Sequence, residues 1–182
     1  MPILHVSKIP DTKRDDYETI CIYCISFIKP SCFGSNREKL RYSVLSWNLE
    51  SDKAKAENKL IFVDFYTKWC GPCLNMAENV FILPFIGDFY NTNFVNMKID
   101  AENGEGVELA KRYGVNSYPT YVFVDPKNGD VVHRSKSRQE AEQFLATGKS
   151  ALVPELRSGY LIEEFAKGRD DREFLKNYIH YN

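Results

Sequence analysis

The chain has 182 residues, of which 43% are hydrophobic and 14% aromatic, and its formal net charge is −1. This length and composition predict a folded globular domain with a sizeable core and argue against a disordered chain. The charges are nearly balanced and mixed along the sequence, which argues against binding to nucleic acid or to an anionic membrane surface.

Cysteine usage and apolar runs bear on the compartment. Five cysteines, an odd number, argue against a disulfide-stapled scaffold. No apolar run reaches the roughly 18 residues that a spanning helix needs, so no membrane span is expected. The run "ICIYCISFI" (20–28) has the length of a signal-peptide core, but it lacks a clear cleavage site, and a buried strand or helix is the alternative. The compartment stays open between the cytoplasm and the bacterial periplasm or cell envelope.

Residues 1–45 show no sustained periodicity and form an N-terminal segment of uncertain structure. From residue 46 to 150, helical and strand patterns alternate, which predicts an α/β domain. The predicted helices cover 46–59, a segment from Gly71 that restarts at Pro84, 104–115 and 137–148, and the predicted strands cover 59–67, 93–100, 120–125 and 130–135. This order predicts a central mixed sheet flanked by helices, with an antiparallel hairpin at one edge that turns at Asn128-Gly129.

The C-terminal segment, residues 151–182, is predicted to form a helical hairpin. Two apolar stripes at helical spacing are separated by Gly168, and Asp170 is a candidate cap of the second helix. The stripes consist of Leu156, Tyr160, Leu161 and Phe165, then Phe174, Leu175, Tyr178 and Ile179. The hairpin either packs on the domain alone or also offers a docking surface to a protein partner.

The cysteine pair in the motif "WCGPC" (69–73) has three possible interpretations. A structural zinc site needs four ligands, but the only other close pair of cysteines lies far upstream and no histidine is near in sequence. A structural disulfide across so short a loop gains little entropy. A redox pair fits best, because Cys70, between a strand and a helix, is expected to be partly exposed and to meet unpaired N–H groups and the positive helix end, which stabilise its thiolate.

Two further features support redox chemistry. Asp64 lies inside an apolar strand pattern, so burial should raise its pKa and suit it to exchange a proton with Cys73, unless it faces solvent at a sheet edge. Pro119 directly precedes a predicted strand. A cis Tyr118-Pro119 bond would make a tight turn able to bring this loop against the cysteines.

"WCGPC" (69–73), the upstream "VDF" (63–65) and the later "YPT" (118–120) resemble the thioredoxin family over residues 46–148. The resemblance implies a thioredoxin fold and a thiol–disulfide oxidoreductase that reduces protein disulfides, with no cofactor beyond a redox-active Cys70–Cys73 disulfide. It also implies protein disulfide substrates and an upstream electron donor as partners. More narrowly, the chain is similar to bacterial envelope-associated thioredoxin-like proteins, which often carry a helical C-terminal extension.

The resemblance also implies a role for each matching residue. Cys70 would be the attacking nucleophile, Cys73 the resolving thiol and Asp64 the buried acid. The loop of the cis proline would offer backbone hydrogen bonds to an extended substrate peptide. The residues implied to form the substrate-binding rim are Trp69, Gly71, Pro72, Tyr118 and Pro119.

Three departures from the family pattern leave the substrate open. Asn96 stands where thioredoxins usually place a lysine near the buried acid, and Lys98 is expected on the opposite face of its strand. Tyr118 replaces a small aliphatic residue before the proline, and Ser137 stands near a usual glycine.

Other functions remain as alternatives. The thioredoxin domain could be a non-catalytic interaction module whose function lies in the chain ends. The cysteine pair could instead serve an oxidase or isomerase of protein disulfides. Cys21 and Cys24 could relay electrons to the main pair, although two buried thiols are the plainer interpretation, and Cys32 has no assigned role.

Overall fold

The computed structural model describes residues 38–43 and 46–181. The N-terminal apolar run, Cys21, Cys24 and Cys32 lie outside the described residues, as do the predictions made for them. Four strands form one sheet in the order β2-β1-β3-β4. They are β1 (Leu60–Tyr66), β2 (Phe94–Asp100), β3 (Thr120–Val124) and β4 (Val131–Lys136).

The sheet is mixed, as predicted. Strand β1 pairs in parallel with β2 and antiparallel with β3, and β4 pairs antiparallel with β3. The interior of β1 is buried throughout, as its nearly continuous apolar pattern predicts for a strand covered on both faces. The central position of β1 explains why a carboxylate within it, Asp64, is also enclosed.

Seven α-helices and one short 3-10 helix (Pro154–Leu156) occur in the part of the chain that the structure describes. The α-helices are α1 (Trp47–Glu57), α2 (Gly71–Asn79), α3 (Pro84–Asn93), α4 (Glu105–Arg112), α5 (Ala141–Leu152), α6 (Ser158–Ala166) and α7 (Arg172–Tyr181). The predicted helical break before Pro84 is confirmed, because α2 ends at Asn79 and α3 begins at the proline, which needs no N–H partner there. No helix among the described residues is long and apolar enough to cross a membrane.

Helices cover both faces of the sheet. Odd-numbered residues of β1 and β2 pack against α1 and α4, and even-numbered residues pack against α2, α3 and α5. The second face is rich in aromatic rings, and Tyr90 stacks on Phe144 at 4.5 Å between ring centroids. The predicted α/β architecture with helices on both faces is therefore confirmed.

The β3–β4 connection is two residues longer than the predicted connection, residues 126–129. It spans residues 125–130 and is closed by a bond from the Asp125 N–H to the Asp130 carbonyl at 2.9 Å. Gly129 adopts a φ of +77°, which suits glycine, and donates to the Asp125 carbonyl at 2.8 Å. The Asn-Gly signal thus marks the correct hairpin but not its length.

Of the two C-terminal helices, α6 packs against the edge strand β4, and α7 packs against α6. The backbone N–H of Ser158 donates to His133 Nδ1 at 2.9 Å, and the Ser158 Oγ accepts from the Arg134 N–H at 2.8 Å. Leu161 and Phe174 are buried, whereas Phe165 stacks on Tyr178 at the surface. The predicted helices are present, and each contributes part of its apolar stripe to packing.

The predicted cap of the second C-terminal helix is wrong by one residue. Asp171, not Asp170, accepts the N–H of Phe174 at 3.0 Å. Two adjacent aspartates precede this helix, and the helical phase decides which of them reaches its first turn.

Residues 38–43 run beside the outer edge of β2. Ser43 forms a parallel bridge with Met97 and donates its N–H to the Asn96 carbonyl at 2.8 Å. Leu40 is buried and donates its N–H to the Phe81 carbonyl at 2.8 Å. This short segment therefore belongs to the packed domain, although it precedes the first helix.

Candidate redox site

The two cysteines lie at the start of α2, just after the turn that follows β1. Strand β1 ends at Tyr66, and the N–H of Cys70 donates to the Thr67 carbonyl at 3.2 Å in the connecting turn. Cys70 is the N-cap of α2, which begins at Gly71 with Pro72 in its first turn, as predicted. The sulfur of Cys70 therefore lies at the positive end of a helix.

Cys70 and Cys73 are joined by a disulfide bond. The Cys73 N–H points back to the Cys70 Sγ at 3.1 Å, so the backbone of the first turn places a hydrogen-bond donor on the sulfur. Both residues are only 5% exposed, so the prediction that Cys70 is partly exposed is wrong for this oxidised state. Within the described ranges, no group of three or more His, Cys, Asp or Glu residues could hold a metal ion.

Asp64 is the buried acid of the site. Its side chain is 2% exposed and lies on the sheet face that α2 covers, the same face as Phe62 two residues earlier. Burial raises the pKa of Asp64 to about 7, against the opposing effects of the Lys98 ammonium and of a hydrogen bond from Tyr42. A carboxyl with such a pKa can take up or release a proton near neutral pH.

The prediction that Lys98 faces away from Asp64 is wrong. The two residues are register partners in β1 and β2, and residues 96 and 98 share one face because side chains alternate along a strand. The Lys98 ammonium lies 4.7 Å from the Tyr66 ring centroid and 5.7 Å from that of Tyr42. Asn96, in the position usual for the family lysine, is buried and donates to Asn91 Oδ1 at 3.1 Å.

The rim beside the disulfide is aromatic. Trp69 is 71% exposed, and its ring meets that of Tyr118 edge to face at 6.1 Å. The indole N–H donates to both carboxylate oxygens of Glu102, at 2.9 and 3.0 Å. Gly71 and Pro72 are exposed next to Trp69, so these residues form one continuous surface with Tyr118.

The Tyr118-Pro119 peptide bond is cis, as the resemblance implies. The Pro119 carbonyl accepts the N–H of Ser137 at 3.0 Å, and Ser137 has a φ of +67°. This left-handed conformation favours glycine, which gives a physical reason for the glycine expected near this position.

Two residues of the site have no signal in the local sequence. Tyr42 reaches Asp64 from a segment 22 positions earlier, and Glu102 reaches Trp69 from 33 positions later. Lys98 could have been found from the alternation of side chains along β2, had the face of Asp64 been assigned first.

Comparisons with known proteins agree with this geometry. The family described as a thioredoxin-like domain matches residues 47–152. The solution structure of a putative disulphide-isomerase from Bacteroides thetaiotaomicron is 40% identical with a TM-score of 0.58, covering 64% of this chain and 95% of that one. The solution structure of a thioredoxin from Thermus thermophilus is 28% identical with a TM-score of 0.56, covering 63% and 88%.

Curated relatives include thioredoxin-1 of Drosophila yakuba, 46% identical over 69 residues, and thioredoxin H4 of Arabidopsis thaliana, 36% identical over 88 residues. These alignments cover 38% and 48% of this chain. The chain spans 60% of the length of the fly protein and 68% of the plant protein. Together with the CxxC disulfide, the comparisons confirm the predicted thioredoxin fold and the chemical class of thiol–disulfide oxidoreductase.

Proposed function

We propose that this chain, which belongs to the thioredoxin-like domain family, reduces disulfide bonds in proteins by cycling Cys70 and Cys73 between dithiol and disulfide. The observation that carries the proposal is the Cys70–Cys73 disulfide at the N-terminus of α2. Once this disulfide has been reduced, the two thiols supply the two electrons of the reaction, so the cycle needs no other cofactor.

The first step is attack by Cys70. In the reduced protein the helix N-terminus and the Cys73 N–H stabilise its thiolate. The Cys70 sulfur bonds to one sulfur of the substrate disulfide, and the second substrate sulfur leaves as a thiolate. The product is a mixed disulfide between Cys70 and the substrate.

The second step is resolution by Cys73. The Cys73 thiol gives its proton to the Asp64 carboxylate, and the resulting thiolate attacks the Cys70 sulfur. The mixed disulfide breaks, the substrate sulfur that was bonded to Cys70 leaves as a thiolate, and the Cys70–Cys73 disulfide forms again. Both sulfurs of the substrate are now reduced. An upstream electron donor must then reduce this disulfide before the next cycle.

The rim of Trp69, Gly71, Pro72, Tyr118 and Pro119 is proposed to bind the substrate. Tyr118 lies directly before the cis proline, so its backbone can pair with an extended peptide in the manner of an added strand. The Trp69–Tyr118 pair gives this rim a broad apolar surface, which fits a protein chain better than a small disulfide.

Reduction is favoured over oxidation because of the residues between the cysteines. The Gly71-Pro72 pair resembles the reducing members of the family, and three of the similar proteins named above are thioredoxins by name. A putative disulphide-isomerase is also similar, and the reduction potential of the cysteine pair distinguishes the two directions of electron flow.

The test is the reduction of insulin by the protein in the presence of dithiothreitol. Cys70→Ser should abolish catalysis. Cys73→Ser, reduced beforehand and mixed with insulin after removal of dithiothreitol, should still attack and should accumulate a mixed disulfide that mass spectrometry can detect. A matched control replaces Cys21, Cys24 and Cys32 with serine and should retain the full rate. Retention of the wild-type rate in Cys70→Ser would refute the proposal and favour the non-catalytic interaction module, while a loss in the control would favour the electron relay.

A further inference from the structure

Tyr42 enters the redox site from residues 38–43, which precede the family-matched range 47–152. The backbone anchors of Leu40 and Ser43 hold this segment against the domain on either side of Tyr42. The Tyr42 hydroxyl donates to Asp64 Oδ2 at 3.4 Å. We propose that Tyr42 is a positioning residue of the redox site, which holds one oxygen of the Asp64 carboxylate and leaves the other to take up the proton of Cys73. This inference rests on the proposed reductase function.

The Tyr42 hydroxyl can act only as a donor to the acid. Burial, and then the negative charge of Asp64, hold the pKa of Tyr42 well above its ordinary value, so the phenol stays protonated at any physiological pH. A group that donates to a carboxylate stabilises its ionised form. Tyr42 therefore keeps part of the Asp64 population ionised near neutral pH, where it can serve as a base.

The second oxygen of Asp64 is placed for proton uptake. Oδ1 is buried and has no hydrogen-bond partner within the described part of the chain, whereas Oδ2 is held by Tyr42. Cys73 is also buried and belongs to α2, the helix that covers this face of the sheet. When Cys73 loses its proton to Oδ1, Tyr42 neither gains nor loses one and only keeps the carboxyl oriented.

A cleft lies beside Tyr42. The cleft has a volume of about 490 Å³, and both Tyr42 and Lys98 line it together with apolar residues such as Leu40 and Phe81. Tyr42 thus stands between the cleft and the buried carboxyl.

Several titratable or charged groups surround Asp64, so the effect of Tyr42 must be separated from theirs. They are Tyr42 from residues 38–43, Lys98 from β2, Tyr121 from β3, Tyr66 from β1 itself and the cysteine pair at the start of α2. Of the three tyrosines, Tyr42 is the one for which a hydrogen bond to the carboxyl is observed, so deleting single hydroxyl groups distinguishes its role.

The test compares Tyr42→Phe with Tyr66→Phe. Both substitutions remove a phenol hydroxyl beside Lys98, but Tyr66→Phe leaves the hydrogen bond to Asp64 in place. The first measurement is an NMR titration of the Asp64 carboxyl carbon in the oxidised protein. Tyr42→Phe should raise the pKa of Asp64 by about 0.5 to 1, the equivalent of one ordinary hydrogen bond, and Tyr66→Phe should leave it unchanged.

The second measurement is the pH profile of mixed-disulfide resolution. Its midpoint should shift to higher pH in Tyr42→Phe by the same amount, and the shift should vanish when Asn replaces Asp64, because the two residues then no longer couple. If Tyr42→Phe unfolds, Tyr42→Met removes the hydroxyl while keeping a long apolar side chain, and the same shifts are expected.

The outcomes separate this inference from the proposed function. An Asp64 titration unchanged by removal of the Tyr42 hydroxyl would overturn the role of Tyr42 even if the protein reduces disulfides well. A shifted titration in a protein that reduces no disulfides would support the contact between Tyr42 and Asp64 and would refute the reductase function instead.

Discussion

Replacing Asp64 with asparagine should stabilise the oxidised protein, and the gain should depend on pH. Burial raises the pKa of Asp64 from 3.8 to about 7 in the folded protein. Between these two values the unfolded chain loses the proton while the folded protein retains it, so the contribution present at acid pH is lost as pH rises through about 7. Asparagine cannot ionise and does not suffer this loss.

The size of the effect follows from the same two values. Each unit of pKa difference corresponds to about 1.4 kcal/mol, so Asp64→Asn should raise the free energy of unfolding by up to about 4 kcal/mol above pH 7, and by close to zero near pH 4. The amide oxygen can still accept the Tyr42 hydroxyl, so no hydrogen bond need be lost.

The assay is urea unfolding of oxidised wild type and Asp64→Asn at several pH values from 4 to 8. His133, whose pKa burial lowers to about 4, titrates in the same range, but it is present in both proteins and cancels in the difference. A stability difference that is the same at every pH would refute the reasoning, because it would mean that Asp64 ionises with its ordinary pKa in the folded protein.

Two further substitutions test the rim of the site. Ser137→Gly should raise the free energy of unfolding by about 0.5 to 1 kcal/mol in thermal or urea unfolding, because glycine tolerates the φ of +67°, and a loss of stability would contradict the assigned strain. Glu102→Ala should lower kcat/KM for insulin reduction by about fivefold, the equivalent of about 1 kcal/mol, because Trp69 loses the acceptor of its indole N–H. Glu102→Gln keeps an acceptor and should recover most of that loss, and equal losses in both variants would point to charge and not to the hydrogen bond.

The features predicted correctly from the sequence are those with local signals. The apolar run of β1 is interrupted only by Asp64, a pattern that favours a buried acid over one at a sheet edge, and the structure shows Asp64 buried in a central strand. The cysteine spacing and Pro72 likewise place the pair at a helix start, since proline is tolerated in the first turn.

The features predicted wrongly depend on geometry that the local pattern does not contain. The last helix of the thioredoxin domain begins at Ala141 and not near Ser137, because Ser137 is in a left-handed conformation and donates its N–H to Pro119. The prediction that Lys98 lies on the face of β2 opposite Asp64 is wrong, because the pairing of these residues depends on the register with β1. The contact between Tyr42 and Asp64 is between segments distant in sequence, and no propensity or motif encodes it.

The reduction potential of the Cys70–Cys73 pair tests the central claim most directly. The protein would be equilibrated in a series of thiol–disulfide buffers, quenched in acid and alkylated, and the fraction of disulfide measured by mass. A two-electron couple at about −270 mV, the value typical of thioredoxin and below the cytosolic glutathione poise measured by extraction, is the result expected of a reductase. A potential at or above about −180 mV would contradict it and identify an oxidase or isomerase, and a pair that does not titrate reversibly would exclude redox function altogether.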